Sequence, residues 1–298
     1  MTDHATDAAT ETFIRHRNLL FTVAYEMLGS AADAEDVLQE TWLRWATVDL
    51  GQVRDQRAYL VQVATRQALD RLRTVKRRRE TYVGPWLPEP LLTTPDVAED
   101  VELAESVSMA MLLVLEALSP TERAVFVLRE VFDVGYDEIA VAVDKSAAAV
   151  RQIAHRARRR VEAGRPRQVV SQRDTRAALE SFRRAVETGD LQGLLDLLAP
   201  DVVLVGDGGG VEKAPVRSIL GADNVARIIL ALFGKFDGEF AAQAIVTNGS
   251  PALLVRLDGA IDGVLTARVT DGRFHGLYYV RNPHKLSRIR SETRLTLG

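Results

Sequence analysis

The chain of 298 residues contains no cysteine, which excludes disulfides and thiolate chemistry and agrees with a reducing cytoplasm. No apolar run approaches the roughly 18 residues that a membrane-spanning helix needs. The N-terminus also lacks the basic-then-apolar pattern of a secretory leader, so a cytoplasmic protein with no membrane partner is expected. Between Glu80 and Glu122 there is no lysine or arginine at all. The segments on either side of this gap are basic. Arg66–Arg79 holds seven Lys or Arg against one Asp, and Arg151–Arg160 holds five Arg and no acid. A formal net charge of −3 therefore hides two cationic blocks separated by an acidic one. Two or three domains are the natural organisation at this length.

The first module spans about 9–80. Phe13–Leu28 reads as a helix broken at Gly29-Ser30, and Ser30 with Asp33 three residues on is a helix start. The helix that follows sets Val37, Leu38, Trp42 and Trp45 on one side and the acids Asp33, Asp36 and Glu40 on another. A third helix, Arg57 to about Arg79, alternates Leu60, Val63, Ala64 and Leu72 with Arg66, Arg71 and Arg73. It ends in Lys76-Arg77-Arg78-Arg79. Cations suit a helix C-terminus, but this density exceeds what capping needs and matches a phosphate-backbone footprint.

The second module spans about 106–165. Met109–Leu118 is an apolar helix, and "SPTER" starts another with Ser119 as N-cap, Pro120 at the first helical position and Glu122 completing a capping box. A short helix over 136–143 and a turn at Asp144-Lys145 precede a last helix from Ser146 to about Ala163. Val150, Ile153, Ala154, Ala157 and Val161 form its apolar stripe, and Gln152, His155, Arg156 and Arg159 the opposite one. A short helix, a tight turn and a helix with one polar, cationic face form a helix-turn-helix. Amide, imidazole and guanidinium groups there can reach base edges, while flanking cations such as Arg151 hold phosphates.

The third module, about 172–286, opens with two short helices leading into an apolar strand. A helix over 225–232 and four β-like runs follow, at 239–247, 252–257, 264–269 and 273–280, separated by Asn-Gly and Asp-Gly turns. Helices followed by an antiparallel meander indicate an α+β domain curled around a pocket. Asp207 and His275 are its tempting catalytic pair, with Lys213 a distant third, but nothing in the sequence brings them together. "DGGG" (207–210) lacks the helix and Lys-Ser/Thr of a phosphate loop. Its glycines are better explained by close approach of another backbone. No catalytic residue, metal or cofactor is expected.

"AADAEDVLQETWLRW", "RAYLVQVATRQALDRLR" and "LSPTERAVFVLREVFDVGYDEIAVAVDKSAAAVRQIAHRARRRV" resemble regions two and four of extracytoplasmic-function sigma factors. The resemblance covers about 10–163 and implies binding to core RNA polymerase and promoter DNA. It implies that Asp33, Asp36 and Glu40 lie on a polymerase-docking helix. Arg66, Arg71, Arg73 and Arg77 would serve melting and reading of the −10 element, although many members carry Asn where Arg66 stands. Arg151, Gln152, His155, Arg156 and Arg159 would serve the −35 element. The acids of the linker 81–105 (Glu89, Asp96, Glu99, Asp100, Glu102 and Glu105) would keep it off DNA, or in a channel that otherwise carries nucleic acid. The third module resembles the SnoaL-like, nuclear-transport-factor-2-like cone. The fold class expected is therefore two all-α sigma modules followed by an α+β cone.

"WLPEP" in the linker, "DGGG" and "NPHKL" (282–286) together resemble a sigma-factor subgroup with a SnoaL-like C-terminal extension, which usually shows Asp where His284 stands. The resemblance implies that the fused domain regulates the sigma modules with no separate anti-sigma protein, and leaves room for a small-molecule ligand in the cone. Prolines pre-order an extended strand and Trp86 offers a rigid apolar anchor. Trp86, Leu87 and Pro88 are expected to dock near Asp207, Gly208, Gly209 and Gly210, with Asn282, Pro283, Lys285 and Leu286 completing the contact. Residues 287–298 read as a short amphipathic tail. Two alternatives stay open. One is a dimeric helix-turn-helix regulator with a ligand-sensing domain. The other is a SnoaL-like isomerase or cyclase carrying DNA-targeting modules.

Overall fold

The computed structural model describes residues 2–297 apart from 80, 95–96, 98–99, 165–170, 213 and 234–237. The first module is α1 (Thr2–Leu28), α2 (Ala31–Trp45) and α3 (Gln56–Arg79). Gly29, at φ +66°, ends α1, and Ser30 accepts the Asp33 N–H to start α2. Leu20, Ala24, Val37, Leu60 and Ala64 are buried between the three helices, and the Trp45 indole donates to the Ala9 carbonyl at 2.8 Å.

The second module is α4 (Val101–Ser106), α5 (Met109–Glu116), α6 (Pro120–Phe126) running on into a π-turn at Val127–Val131, α7 (Tyr136–Val143) and α8 (Ala147–Gly164). The capping box of Ser119 and Glu122 forms as the local sequence dictates. Asp144, left-handed at φ +54°, makes the tight turn between α7 and α8. The two modules are not separate beads, because Leu72, Leu112, Leu128, Ile139 and Val150 belong to one continuous core with the first module.

The third module is α9 (Gln172–Thr188), α10 (Leu191–Leu197), β1 (Leu198–Asp207), β2 (Ile219–Leu220), α11 (Ala222–Leu232), β3 (Phe240–Thr247), β4 (Ser250–Leu257), β5 (Ala260–Thr270) and β6 (Arg273–Val280). The strands form one sheet in the order β2-β1-β6-β5-β4-β3. Strands β3 to β6 are the expected antiparallel meander. Their turns, Asn248-Gly249, Asp258-Gly259 and Asp271-Gly272, all have positive φ at both residues, as two-residue hairpins require. The sheet as a whole is mixed, because β1 returns parallel to β6. Helices α9 and α11 cover its concave face around Phe182, Leu204, Ile229, Leu265 and Phe274.

The linker is not a solvated spacer along its whole length. Leu87 to Leu91 are buried as an extended strap between the modules, and α4 begins within the same segment. Thr93 N–H donates to the Val246 carbonyl, so the strap extends the sheet beyond its β3 edge. The tail also packs: Ile289 and Leu295 are buried, and Thr293 bridges Thr93 in parallel. Asp96 and Glu99 lie outside the described residues.

Candidate functional site

The exposed face of α8 presents Arg151, Gln152, His155, Arg156 and Arg159 to solvent, while Val150, Ala154, Ala157 and Val161 face inward. Tyr136 stacks beneath Arg151, whose guanidinium lies 5.6 Å from the ring centroid. Arg158 and Arg160, in contrast, turn back to Glu130 and Glu122 at 2.6 and 2.7 Å. One cationic stripe is therefore free, and its neighbours are spent on the fold.

The basic face of α3 is covered in part, with Arg66, Arg73 and Lys76 still exposed. Helix α7 lies across it, and the Arg66 guanidinium donates to the Val141 carbonyl at 2.7 Å. A cleft of about 530 Å³ remains between α3 and α7, lined by Arg54, Tyr59, Thr65, Glu138 and Ile139. Arg71, expected on the DNA side, pairs with Asp33 at 2.6 Å and with Asp36, and stands 4.0 Å from Glu40. The arginine thus neutralises the acids expected to face polymerase. Arg73 pairs with Asp70 at the surface. The side chain of Arg77 lies outside the described residues.

Arg79 corrects the reading of the basic run as one uniform footprint. It is only 12% exposed, pairs with Glu116 of α5 and donates to the Leu28 carbonyl at 2.6 Å. Its guanidinium stacks 3.3 Å from the centroid of the Trp86 ring. Arg123 joins the same Glu116 carboxylate, whose pKa falls below its usual range as the two guanidiniums outweigh the cost of burial. The first two modules and the strap meet at this cluster.

The strap is held at both ends. On the first module, the Glu89 carboxylate accepts from the Ala31 N–H at 2.7 Å, where the N-terminus of α2 favours negative charge. Tyr25 Oη donates to the Glu89 carbonyl at 2.6 Å. On the cone, Asp207 is fully buried. It accepts from Leu87 N–H at 2.8 Å, Tyr82 Oη at 2.6 Å and Lys285 Nζ at 2.7 Å. Lys285 also donates to the Leu87 carbonyl and lies 4.2 Å from the Trp86 ring centroid. Burial pushes its ammonium down to about 8, against the pull of Asp207. Leu87 sits in an apolar cluster with Val264, Val280, Leu286 and Ile289.

The expected docking partners are thus partly exchanged. Trp86 lies against Gly29, where an added Cβ would stand 2.8 Å from the indole, and not against the glycines of the cone. Gly209, at φ +64°, instead makes room for the Asn282 side chain, and Gly210 for Val83. Gly208 closely approaches the Glu212 carbonyl of its own loop. Pro88 packs beside Gly29, and Pro283 opens a short helical turn in which the Asn282 side chain accepts the His284 N–H.

A further contact escaped sequence reasoning. The β3–β4 hairpin tip, which carries only an ordinary turn signal, plugs the junction of all three modules. Asn248 Nδ2 donates to Tyr25 Oη at 2.6 Å and the Val107 carbonyl at 3.0 Å, and its Oδ1 accepts the Leu91 N–H at 3.0 Å. Glu26 is buried nearby, and accepts from Ser106 Oγ at 2.9 Å. Burial lifts its carboxyl to about 8 from an ordinary value of 4.5. A raised pKa means that the folded arrangement retains a proton the opened chain gives up. That stabilisation is complete below pH 4.5 and is lost as pH rises to about 8. Melting temperature should therefore decline across this window in calorimetry, and Glu26→Gln, which keeps a partner for Ser106 without the charge, should flatten the decline.

The catalytic pair does not form. His275 contacts Asp201 at 3.1 Å on the surface, while Asp207 is committed to the strap. Asp207 is in register with Val280, five residues along β6 from His275, a separation of roughly 16 Å. Lys213 lies outside the described residues. The cone interior is apolar and leaves about 40 Å³ of free space, against roughly 300–1,000 Å³ for pockets that take drug-sized ligands. Among the described residues no group of His, Asp or Glu is arranged to hold a metal. Among the described residues no helix is long and apolar enough to cross a membrane.

An exposed cationic helix-turn-helix face, a second basic helix packed beside α7 and a cone that holds their linker fit a DNA-binding transcription factor. The comparisons agree. Residues 12–78 match Sigma-70 region 2 and residues 108–161 match Sigma-70 region 4. The chain is 38% identical over 286 residues to the ECF RNA polymerase sigma factor SigJ of Mycobacterium tuberculosis, covering 91% of each. It is 30% identical over 271 residues to SigG of the same organism, covering 80% of this chain and 70% of SigG. The crystal structure of SigJ superposes with a TM-score of 0.74 at 34% identity, over 96% of this chain and all of the other. The protein belongs to the extracytoplasmic-function RNA polymerase sigma factors and directs transcription initiation.

Proposed function

We propose that this arrangement is the resting state of the sigma factor, held by its own cone domain with no separate anti-sigma protein, in the cytoplasm. The carrying observation is the difference between the two basic helices: the polar face of α8 is open to solvent, while α7 packs against α3 and engages the Arg66 guanidinium. Duplex recognition by Arg151, Gln152, His155, Arg156 and Arg159 is available at once. Capture of the melted −10 strand by Arg66, Arg71, Arg73 and Arg77 requires α7 to leave α3, and use of Asp33, Asp36 and Glu40 as the polymerase-docking set requires Arg71, which pairs with them within the first module, to exchange partners. Sigma modules at 9–80 and 106–165, a linker at 81–105 and a cone at 172–286 are the units that move. The cone acts mechanically in this scheme, and a small-molecule ligand would have to part α9 and α11 from the sheet to enter it.

Transcription with core polymerase on a promoter fragment tests the scheme. Arg151→Ala, Arg156→Ala and Arg159→Ala combined should lower transcript yield steeply and weaken binding to −35 duplex. Each lost phosphate contact should flatten the salt dependence of that binding by about one logarithmic unit. A triple variant with unchanged salt slope would remove α8 from the DNA interface.

A further inference from the structure

We infer that residues 287–297 form an internal latch that competes with core polymerase for the first module, a step that rests on the polymerase-docking role of α2. The tail turns back from the cone and crosses the strap to reach α1 and α2. Thr293 N–H donates to the Leu92 carbonyl at 2.7 Å, and Thr296 N–H to Thr22 Oγ1 of α1 at 3.1 Å. Leu295 is buried in the core of the first module, and Ile289 packs with Leu87 of the strap. Arg288 pairs with Glu35 of α2 at 3.3 Å.

Glu35 stands on the outward stripe of α2. Ala32, Glu35, Gln39 and Leu43 follow one another at helical spacing, and Leu43 is 68% exposed. Glu35 is shared by Arg17 of α1 at 2.8 Å and Arg288 of the tail, and its exposed neighbours Ala32, Gln39 and Leu43 lie beside the docking acids Asp36 and Glu40. With Arg288 resting on Glu35, the tail occupies one end of that surface. The latch is built to yield: Ser287, Arg290, Ser291, Glu292 and Arg294 are exposed, so few buried groups hold it. Its tether keeps the local concentration high enough for such a weak contact to stay closed.

Full-length Leu295→Asp and Arg288→Glu should each bind core polymerase more tightly, on the order of tenfold for a latch closed about nine-tenths of the time. In the unmodified protein, trypsin should cleave at Arg290 and Arg294 faster once polymerase is added. Unchanged affinity in a variant whose tail is already cut rapidly would overturn the latch, as would a tail that stays protected in the polymerase complex. The protection assay needs no substitution, and Arg288→Glu alters only a surface pair, so misfolding of Leu295→Asp leaves the test intact. Asp36→Arg and Glu40→Arg in the Arg288→Glu chain should abolish the gain. If they leave polymerase binding untouched, the docking role of α2 has failed, separately from any effect of the tail on affinity.

Discussion

Asp207→Ala should release the strap and raise transcription by the full-length protein in the presence of core polymerase. The carboxylate is fully buried and is the common acceptor for Leu87 N–H, Tyr82 Oη and Lys285 Nζ. Removing it leaves the Lys285 cation, whose side chain is 11% exposed, without its counter-charge. Breaking one side of a buried pair costs about 3–5 kcal/mol, a large share of the stability of an ordinary domain. Opening the strap is the cheapest way to hydrate that ammonium. Acrylamide quenching of Trp86 reports this directly in a Trp42→Phe, Trp45→Phe background, with the same background as reference. Lys285→Met should act in the same direction. The double variant Asp207→Asn, Lys285→Met should recover part of the loss, because neither charge is then stranded. Trp86 accessibility unchanged in Asp207→Ala would mean that the clamp does not hold the strap.

Gly249→Ala should separate the cone from the helical modules while leaving the cone folded. The residue lies at φ +66°, and an added Cβ would stand 2.7 Å from Ala104 Cα, with no flexible side chain to give way. Withdrawal of the hairpin tip also breaks the bonds of Asn248 to Tyr25, Val107 and Leu91. Left-handed backbone at a non-glycine residue costs roughly 1–2 kcal/mol, and each neutral hydrogen bond lost adds about 1 kcal/mol. A loss of about 4 kcal/mol in the coupling between modules is expected. Gly259→Ala supplies the internal control: its turn has the same conformation, φ +76°, with nothing within 4 Å of the added Cβ. It should cost only the backbone strain. Small-angle scattering should show an expanded chain for Gly249→Ala and an unchanged one for Gly259→Ala; equal behaviour of the two variants would refute the plug.

The paired effects separate what is written locally from what is not. Ser30, Ser119 and Glu122 mark helix starts within three residues of their partners. The stripes of α8 repeat every three or four residues, and Asn-Gly and Asp-Gly pairs mark the hairpins of the cone. These features come from capping, helical periodicity and turn chemistry, which act over one or two turns of chain, so the two helical modules, the meander and the cationic recognition face are legible in the order of residues. The stiff prolines and the Trp86 anchor of "WLPEP", with the resemblance that its pairing with "DGGG" carries, likewise point to a contact between strap and cone.

The assignment of partners is another matter. Arg79 reads as one cation in a run of four, and its commitment to Glu116 depends on a helix 37 residues further along the chain. Leu87 meets Asp207 across 120 residues of chain, and Asn248 meets Tyr25 across 223. No local signal distinguishes a hairpin tip that plugs a junction from one that faces water, because both need the same positive φ and differ only in what lies beyond the turn. Periodicity and capping told which elements form and which faces are polar. Which of those faces stay open, which cations are spent on neighbours, and that the tail returns to the first helix pair, follow from packing that buries one charge beside another far along the chain.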